Sequence, residues 1–157
     1  MSNEVLTKIL TKKAITLNDP IKFRTIFDVL SSLFTDENHV SLLKVGYKIN
    51  DQQQIWFPNI TPNNKKAIVM KNGYGNFLSD DWNYIYQFDS TKPIARRKVL
   101  AEKYHKNEIQ FVTFAKINDK SKGIGFHFVG VFVFEDYQNE NPQMMIYKKI
   151  SDNYKIS

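Results

Sequence analysis

The sequence predicts an α+β protein, in which N-terminal helices pack on a mostly antiparallel β-sheet that is curled or closed into a barrel. Two patterns predict this fold class. Apolar residues recur at helical spacing in the first third of the chain, and from Val40 onward short β-like runs alternate with turns rich in Asn, Asp, Gly and Pro. The chain has 157 residues, 42% of them hydrophobic, which suits one core. We therefore expect a single domain over residues 1–157, with a helical layer in residues 1–38 and a β-rich portion in residues 40–157.

The helical layer is predicted to contain two amphipathic helices. Apolar residues follow helical spacing within residues 5–10 and, more regularly, within residues 23–34. Asp19 followed by Pro20 predicts the start of the second helix, because aspartate accepts hydrogen bonds from free amide groups and proline tolerates the first helical position. Residues 35–38 predict its end. Helices of this kind usually cover one face of a sheet by apolar packing.

The β-rich portion contains six or seven predicted strands, each bounded by turn residues. They occupy residues 40–49, 53–60, 66–72, 83–89, 108–117, 125–135 and 143–150. Residues 73–81, GYGNFLSDD, are predicted to form a turn. Residues 92–107 are charged and lack turn residues after Pro93, so they suit either a short helix or a basic loop.

The sixth predicted strand has an unusual aromatic pattern. Phe126, Phe128, Phe132 and Phe134 share one face of a regular strand, and Gly130 leaves a gap in that row. A glycine inside a strand marks a bulge, a bend or the close approach of another backbone. We expect Gly130 to let the strand bend and a second backbone pass close by.

Composition limits the classes of partner and chemistry. Twenty-two Lys and Arg against sixteen Asp and Glu give a formal net charge of +6 and a pI near 9.4, which favours polyanionic partners such as nucleic acid. The absence of cysteine excludes disulfides, thiol nucleophiles and thiolate metal sites. The N-terminus lacks the pattern of a signal peptide and no apolar run has the length of a membrane span, so we expect a cytoplasmic protein.

Signals for catalysis are sparse. The three histidines are far apart and form no metal-binding spacing, and GYGN lacks the lysine and hydroxyl residue of a phosphate-binding loop. The acidic residues Asp80, Asp81 and Glu135 suit a divalent metal, although adjacent acids in a turn are usually solvated. We expect no catalytic residue, no metal site and no cofactor, and enzymatic activity stays an open alternative.

Signals for binding are stronger. Large aromatic residues lie where strands meet loops, and flat rings stack on nucleobases, although the same rings also suit core packing. Asparagine and aspartate beside the rings can read the polar edge of a base. The predicted base pocket consists of Trp56, Tyr74, Asn76, Asp81 and Trp82. The predicted phosphate contacts are Lys65, Lys66, Arg96 and Arg97.

Four segments occur in an order that resembles a known domain. They are KVGYKINDQQQIWFPNI, GYGNFLSDDWNYIYQF, GFHFVGVFVFEDY and IYKKISDNYKI. Over residues 40–156 they resemble an accessory domain found beside HNH-type nucleases and in restriction-like proteins, which groups with the PUA-like barrels, the superfold that includes the SRA readers of modified cytosine. Gly130 falls in the F-x-G-V-F part of this pattern. Lys149 stands where the pattern has arginine, which weakens any bidentate contact inferred at that position.

The resemblance implies both a PUA-like fold and a function. Members of the SRA group bind duplex DNA, flip a modified cytosine into a pocket and read it by aromatic stacking and polar side chains. We therefore predict a DNA-binding module that recognises a modified, flipped cytosine as part of a restriction or defence system. No nuclease motif occurs in this chain, which implies a detached reader or a nuclease in a partner or fused domain. Two alternatives stay open: a protein-interaction or accessory subunit of a defence system, and a small metal-dependent nuclease.

Overall fold

The computed structural model describes residues 3–35, 41–43, 47–119 and 123–156. Its α-helices are α1 (Asn3–Lys12), α2 (Ile26–Leu33), α3 (Lys66–Asn72) and α4 (Ile94–Lys106), with a 3-10 helix at Asn63–Lys65. Its strands are β1 (Ala14–Thr16), β2 (Gln53–Trp56), β3 (Tyr74–Leu78), β4 (Tyr84–Asp89), β5 (Gln110–Asp119), β6 (Gly123–Gln138), β7 (Asn141–Ser151) and β8 (Asn153–Lys155). No helix within these ranges is long and apolar enough to cross a membrane.

Six of the strands form one sheet in the order β2-β5-β6-β7-β4-β3. Strand β2 runs parallel to β5, and every other neighbouring pair in this sheet is antiparallel. Strands β1 and β8 form a separate two-stranded antiparallel sheet. The large sheet is curled into a half-barrel, so the predicted α+β fold with a mostly antiparallel, PUA-like curled sheet is confirmed.

The N-terminal helices cover one face of the large sheet, which we call the first face. Ile9 of α1 and Val29 and Leu33 of α2 pack in one buried cluster with Phe114 and Phe126 of the sheet. This packing follows the helical spacing of the sequence, because residues four positions apart share one side of a helix. The opposite, second face is left for α4, which contacts β6 and β7.

The second helix begins later than the sequence predicts. Helix α2 starts directly after Thr25, whose hydroxyl oxygen accepts a hydrogen bond from the backbone N–H of Asp28 at 3.0 Å. The carboxylate of Asp19 instead accepts from the backbone N–H of Thr16 at 2.7 Å and from the ammonium of Lys12 at 2.8 Å. The helix start predicted at Asp19 is therefore wrong, because this carboxylate closes a local turn well before the helix.

A bulge in β6 divides its phenylalanines between the two faces. Thr113 pairs with Gly130 and Phe114 pairs with Phe128, so one extra residue of β6 lies between the two pairs. Phe128 consequently belongs to the buried cluster of the first face, whereas Phe132 belongs to that of the second face. The prediction that all four phenylalanines share one face is wrong, because the bulge shifts the alternation by one position.

Gly130 lies at this bulge with a φ of +127°, a conformation that other residues rarely adopt. A Cβ atom there would lie 2.9 Å from the backbone oxygen of Ser151 and 2.8 Å from Cε of Lys149. The expected close approach of a second backbone is therefore observed. The Lys149 side chain runs across the glycine, with its Nζ 5.8 Å from the ring centroid of Phe132 and 3.4 Å from Oδ1 of Asp152.

Three short segments bear on the predicted secondary structure. Two of them differ from the prediction, and the third forms one of its two alternatives. Residues 66–72 form α3 and not the predicted strand, because a short apolar run has no periodicity that separates a buried strand from a helix. Val69 of this helix packs against Phe77. Residues 74–78, predicted as part of a turn, form the edge strand β3. Residues 92–107 contain α4, which is the helical alternative.

The first predicted strand, residues 40–49, lies partly outside the described residues. Two of its described positions, Ser41 and Lys48, make isolated β-bridges. The predicted helix end at residues 35–38 also lies mostly outside the described ranges, and α2 itself ends at Leu33.

Candidate nucleic-acid interface

Helix α4 is anchored to the second face by one buried arginine. The guanidinium of Arg97 donates to the carbonyl oxygens of Pro142 at 2.7 Å, Gln87 at 3.1 Å and Gln143 at 3.4 Å. The carboxylate of Asp89 lies 4.0 Å from its Nη1. Only 4% of Arg97 is exposed, and this burial lowers the pKa of the guanidinium from its ordinary value. The arginine thus fixes α4 across β4 and β7.

This environment changes the role we assign to Arg97. Its Nε and Nη2 groups donate to backbone carbonyls in a buried site, which leaves little of the guanidinium accessible to a phosphate. We therefore assign Arg97 to the anchoring of α4 in place of the predicted phosphate contact. Arg96, the preceding residue, is exposed and keeps the predicted assignment.

A cavity of about 620 Å³ opens between α4 and strands β2, β4, β5 and β7, and we call it the aromatic cavity. Its aromatic lining includes Trp56, Tyr104, Phe111 and Tyr147. Its polar lining includes Lys48, Asp51, Gln54, Gln87, Lys103 and Asn107. Pockets that hold small ligands have volumes of about 300–1,000 Å³ and a similar mixture of rings and a few polar groups. The cavity therefore has the size and chemistry of a ligand site.

The rings of the aromatic cavity form one packed group. The centroids of Trp56 and Tyr147 are 4.7 Å apart, and those of Tyr104 and Phe111 are 4.9 Å apart. Phe111 joins the two pairs, since its centroid lies 5.5 Å from that of Tyr147 and 5.7 Å from that of Trp56. Separations of about 4.5–7 Å are typical of favourable aromatic pairs. Each ring is consequently held by its neighbours before any ligand arrives.

Two polar groups of the aromatic cavity are linked to each other. The hydroxyl of Tyr147 donates to Oε1 of Gln87 at 3.5 Å. Tyr147 is 2% exposed, and burial raises the pKa of its phenol, so the phenol is protonated at neutral pH. The backbone carbonyl of Gln87 accepts from Arg97. Gln87 is therefore held through both its backbone and its side chain.

A second cavity, of about 540 Å³, adjoins the aromatic cavity along α4, and we call it the basic groove. Gln87 and Lys103 line both cavities. The charged residues that line the basic groove are Lys92, Arg96, Arg97, Lys103 and Asp89. Four cations beside one carboxylate give this groove the charge that suits phosphate groups.

Trp82 borders a separate, smaller depression of about 250 Å³. Asp80 and Leu78 line the same depression, which lies beside the turn between β3 and β4. Trp82 has a φ of +63° in this turn, and its backbone N–H donates to the carbonyl of Ser79 at 3.0 Å. The two predicted tryptophans therefore border different cavities, Trp56 the aromatic cavity and Trp82 this depression.

Asp81 organises the turn beside Trp82. Its Oδ1 accepts from the hydroxyl of Ser79 at 2.7 Å and from the backbone N–H of Asn83 at 2.9 Å. The Asn83 N–H, followed by the Ser79 hydroxyl, lowers the pKa of the Asp81 carboxyl, which is exposed and charged at neutral pH. This carboxylate therefore has local partners in the turn.

Tyr74 and Asn76 lie on the edge strand β3. Tyr74 is 68% exposed. Asn76 is 7% exposed; its backbone oxygen accepts from the N–H of Thr61 at 2.8 Å, and its Nδ2 donates to the carbonyl of Asn59 at 3.5 Å. Asn76 therefore ties β3 to the loop after β2. Of the five predicted pocket residues, the described structure places only Trp56 in the lining of the aromatic cavity.

The predicted phosphate contacts fall into two areas. Lys65 and Lys66 are exposed at the start of α3, a helix that contacts the edge strand β3. The Nζ of Lys66 lies 5.4 Å from the ring centroid of Phe77. Arg96 borders the basic groove on α4. The structure thus brings Arg96 close to the aromatic cavity and places the two lysines at another part of the surface.

The acidic residues of the nuclease alternative are not gathered into a metal site. Asp80 and Asp81 lie in the turn after β3, and Glu135 is exposed on β6. Across the described ranges, no group of three or more His, Cys, Asp and Glu side chains is placed to hold a metal ion.

Sequence reasoning missed four residues that line the aromatic cavity: Gln87, Tyr104, Phe111 and Tyr147. They belong to β4, α4, β5 and β7, so their grouping depends on strand order and on the docking of α4. One signal was present for Tyr147. It continues the buried alternation begun by Met145, and a buried tyrosine needs a partner for its hydroxyl.

The chain is similar to known proteins in both sequence and fold. The family model of the SET and RING associated (SRA) domain matches residues 8–156. Among curated protein sequences there is no match. A solved structure that is similar is "The 5-Hydroxymethylcytosine-Specific Restriction Enzyme AbaSI", with a TM-score of 0.67 and 16% sequence identity over 99% of this chain and 47% of that chain. The chain thus spans about half the length of AbaSI, and a likeness at this identity shows a shared fold.

Proposed function

Because this chain belongs to the SRA domain family, whose members bind DNA and read a modified cytosine that is flipped out of the duplex, we propose that its aromatic cavity receives the flipped base. The family match confirms the predicted resemblance and the predicted role as a DNA reader. The location of the base rests on one observation, the packed rings of Trp56 and Tyr147 beside polar side chains in a single cavity. Stacking of a base on such rings contributes about 1–3 kcal/mol per base.

The polar lining of the aromatic cavity supports a cytosine as the ligand. Cytosine donates from its N4 amino group and accepts at N3 and O2. A carboxylate is an acceptor and an ammonium is a donor, and Asp51 and Lys48 bring both to the same cavity. The amides of Gln54 and Asn107 supply either function. The cavity can therefore form hydrogen bonds with the polar edge of a cytosine once that base has left its pairing partner.

The basic groove supports a path for the DNA backbone next to the flipped nucleotide. It adjoins the aromatic cavity at Gln87 and Lys103, so a strand with its base in one cavity has phosphates near the other. Lys92, Arg96 and Lys103 are exposed cations in or beside this path. Lys65 and Lys66 remain proposed contacts with a more distant part of the backbone.

The depression at Trp82 is the second proposed base site. Two of the residues predicted for the base pocket lie here, Trp82 in the lining of the depression and Asp81 in the adjacent turn. Tyr74 and Asn76 lie on the strand that leads into this turn. Its volume of about 250 Å³ is smaller than that of the aromatic cavity, which is why we place the base in the latter.

The modified base that we propose first is 5-hydroxymethylcytosine. AbaSI, which shares the fold, is named for its specificity for this base and for being a restriction enzyme. We propose on the same ground that the chain acts in a restriction system. The nuclease would then reside in a fused domain or a partner, because AbaSI is about twice as long as the region that matches.

The test is an equilibrium titration of matched duplexes that carry cytosine, 5-methylcytosine or 5-hydroxymethylcytosine at one position, measured at two salt concentrations. We expect at least about tenfold tighter binding of one modified duplex, a difference of about 1.4 kcal/mol. Trp56→Ala should remove most of this preference, because it opens the stacking wall, and leave the salt dependence unchanged. Fluorescence of 2-aminopurine placed opposite the modified base should rise on binding if the base is flipped.

Trp82→Ala is the matched variant for this experiment. If Trp56→Ala keeps the preference and Trp82→Ala loses it, the base enters the depression at Trp82 and the proposed location is wrong. If the protein without substitutions binds all three duplexes equally, the proposed recognition of a modified cytosine is wrong. Tyr74→Ala serves as the control for loss of an exposed ring, and it should change neither quantity.

A further inference from the structure

We propose that Gln87 distinguishes a cytosine ring from a uracil ring, by presenting its amide N–H groups to N3 of the flipped base while Tyr147 holds its amide oxygen. The inference rests on the proposed function, and it names the side chain that reads the base edge.

The position of Gln87 carries the first step. It lies on β4 opposite Met145 of β7, and Tyr147 lies opposite Ile85, two residues before Gln87, so Tyr147 is its diagonal neighbour. Gln87 lines both the aromatic cavity and the basic groove. It therefore lies between the proposed site of the flipped base and the proposed site of the phosphate of the same nucleotide. A side chain at that junction meets the edge of a base whose face stacks on Trp56.

The orientation of the amide carries the second step. The protonated hydroxyl of Tyr147 donates to Oε1 of Gln87 at 3.5 Å. The ring of Tyr147 is itself held, since its centroid lies 4.7 Å from Trp56 and 5.5 Å from Phe111. A primary amide carries its oxygen and its NH₂ group on opposite sides, so in this orientation both N–H donors lie on the side away from Tyr147. Gln87 then acts as a donor toward the cavity.

The backbone beneath the amide is fixed as well. The carbonyl of Gln87 accepts from Nη2 of Arg97 at 3.1 Å, and the same guanidinium binds Pro142 at 2.7 Å. This hydrogen bond ties the backbone of Gln87 to α4. A donor that is fixed at both ends costs little ordering when a ligand binds.

The chemistry of the two rings carries the last step. N3 of cytosine is an acceptor, whereas N3 of uracil carries a hydrogen and is a donor. A fixed N–H donor satisfies cytosine and leaves two opposed donors with uracil, and sites built around a hydrogen bond reject the ligand that lacks its partner. This discrimination between cytosine and uracil does not depend on the group at C5. Recognition of the ring can therefore be measured separately from recognition of the modification.

The test compares duplexes that carry 5-hydroxymethylcytosine or 5-hydroxymethyluracil, each opposite an abasic site so that neither base has a pairing partner to lose. The two bases share the C5 substituent and differ at positions 3 and 4. We expect about tenfold tighter binding of the cytosine form. Gln87→Met, which removes the donors, should reduce this ratio to about one. Tyr147→Phe keeps the ring and frees the amide to rotate, so it should reduce the ratio part of the way.

Gln53→Met is the matched control. Gln53 lies on β2, where its Nε2 donates to Gln110 at 3.0 Å, and it lines a different cavity beside Tyr154. The ratio for this variant should equal that of the unmodified protein. Circular dichroism and melting temperature establish that each variant is folded. Gln87→Glu at pH 8 is the second variant, whose carboxylate accepts from uracil N3–H and should turn the preference toward the uracil form.

Each outcome decides the inference. If Gln87→Met and Gln87→Glu both keep the ratio of the unmodified protein, Gln87 does not read the ring. If the unmodified protein prefers 5-hydroxymethylcytosine over cytosine and yet binds the two C5-hydroxymethyl rings equally, the proposed function stands and the role of Gln87 is overturned. If it shows no preference for any modified cytosine, the proposed function fails and the inference fails with it.

Discussion

The two faces of the large sheet are both rich in aromatic rings, but they differ in which rings they carry. On the first face, under α1 and α2, the buried rings are mainly phenylalanines, such as Phe23, Phe114 and Phe128. Around the aromatic cavity of the second face they are mainly tyrosine and tryptophan, with Trp56 and Tyr147 at the centre. Phenylalanine has no polar atom, whereas tyrosine and tryptophan need a hydrogen-bond partner when buried.

The coverings of the two faces differ in the same way. The first face is closed by apolar residues of two helices, including Ile9 and Leu33. On the second face, Arg97 attaches α4 to backbone carbonyls, and the aromatic cavity and the basic groove lie along this helix. The difference shows how one sheet supplies a rigid core on one side and an open site on the other.

The largest effect should follow from weakening the first face. Phe114→Ala removes a fully buried ring, whose centroid lies 5.9 Å from that of Phe23 and 5.5 Å from that of Phe128. The expected loss is about 3–5 kcal/mol of the free energy of unfolding, because the cavity left behind cannot close completely. Urea denaturation followed by circular dichroism measures it. The preference of the folded fraction for a modified duplex should not change.

Phe27→Ala is the control for this substitution. Phe27 lies on α2 and is 74% exposed, so its loss should change the free energy of unfolding by less than about 0.5 kcal/mol. If Phe114→Ala is as stable as Phe27→Ala, the first face is not the rigid side of the comparison. If Phe114→Ala abolishes the preference while the protein stays folded, the two faces are coupled.

A smaller loss of stability should follow from removing the anchor of the second face. Arg97→Met fills similar space but leaves the carbonyls of Pro142, Gln87 and Gln143 without their donor. Unpaired buried groups of this kind cost about 1–3 kcal/mol each, and partial exposure to water reduces the sum, so we expect a loss of about 2–4 kcal/mol. Urea denaturation measures the loss. Unchanged stability would mean that α4 is held by its apolar contacts alone.

The general fold could be predicted from the sequence because its strands carry local signals. The runs at residues 83–89, 108–117 and 143–150 are rich in aromatic and aliphatic residues and are bounded by turn residues, and each contains most or all of an observed strand. The bulge opposite Thr113 could not be predicted in register, since the sequence of β6 alternates regularly through it. The bulge is fixed by pairing with β5 and β7, and it moves Phe132 to the second face.

The candidate site could be predicted only in part, because it is assembled by tertiary contacts. Trp56, which was predicted from its place at the end of a strand, lines the aromatic cavity. Gln87 carries no local mark of function, and it becomes a neighbour of Tyr147 through the pairing of β4 with β7. The burial of Arg97 could not be predicted, because a basic run on a helix looks the same in sequence whether its members face solvent or the sheet. The structure separates Arg96 from Arg97 by the direction in which each leaves α4.

The smallest effect on stability, and the sharpest contrast with Arg97, should come from its neighbour. Arg96 is exposed and borders the basic groove, so Arg96→Met should change the free energy of unfolding by less than about 0.5 kcal/mol. It should weaken binding of modified and unmodified duplexes by the same factor, and the slope of log K against log salt should fall by about one, as for the loss of one phosphate contact. Lys8→Met on α1 removes the same charge from an exposed position of the helical layer and should leave the slope unchanged. Equal slopes for the two variants would mean that the charge of the whole chain, and not the basic groove, attracts the DNA. A changed preference for the modified duplex in Arg96→Met would mean that the groove takes part in reading the base.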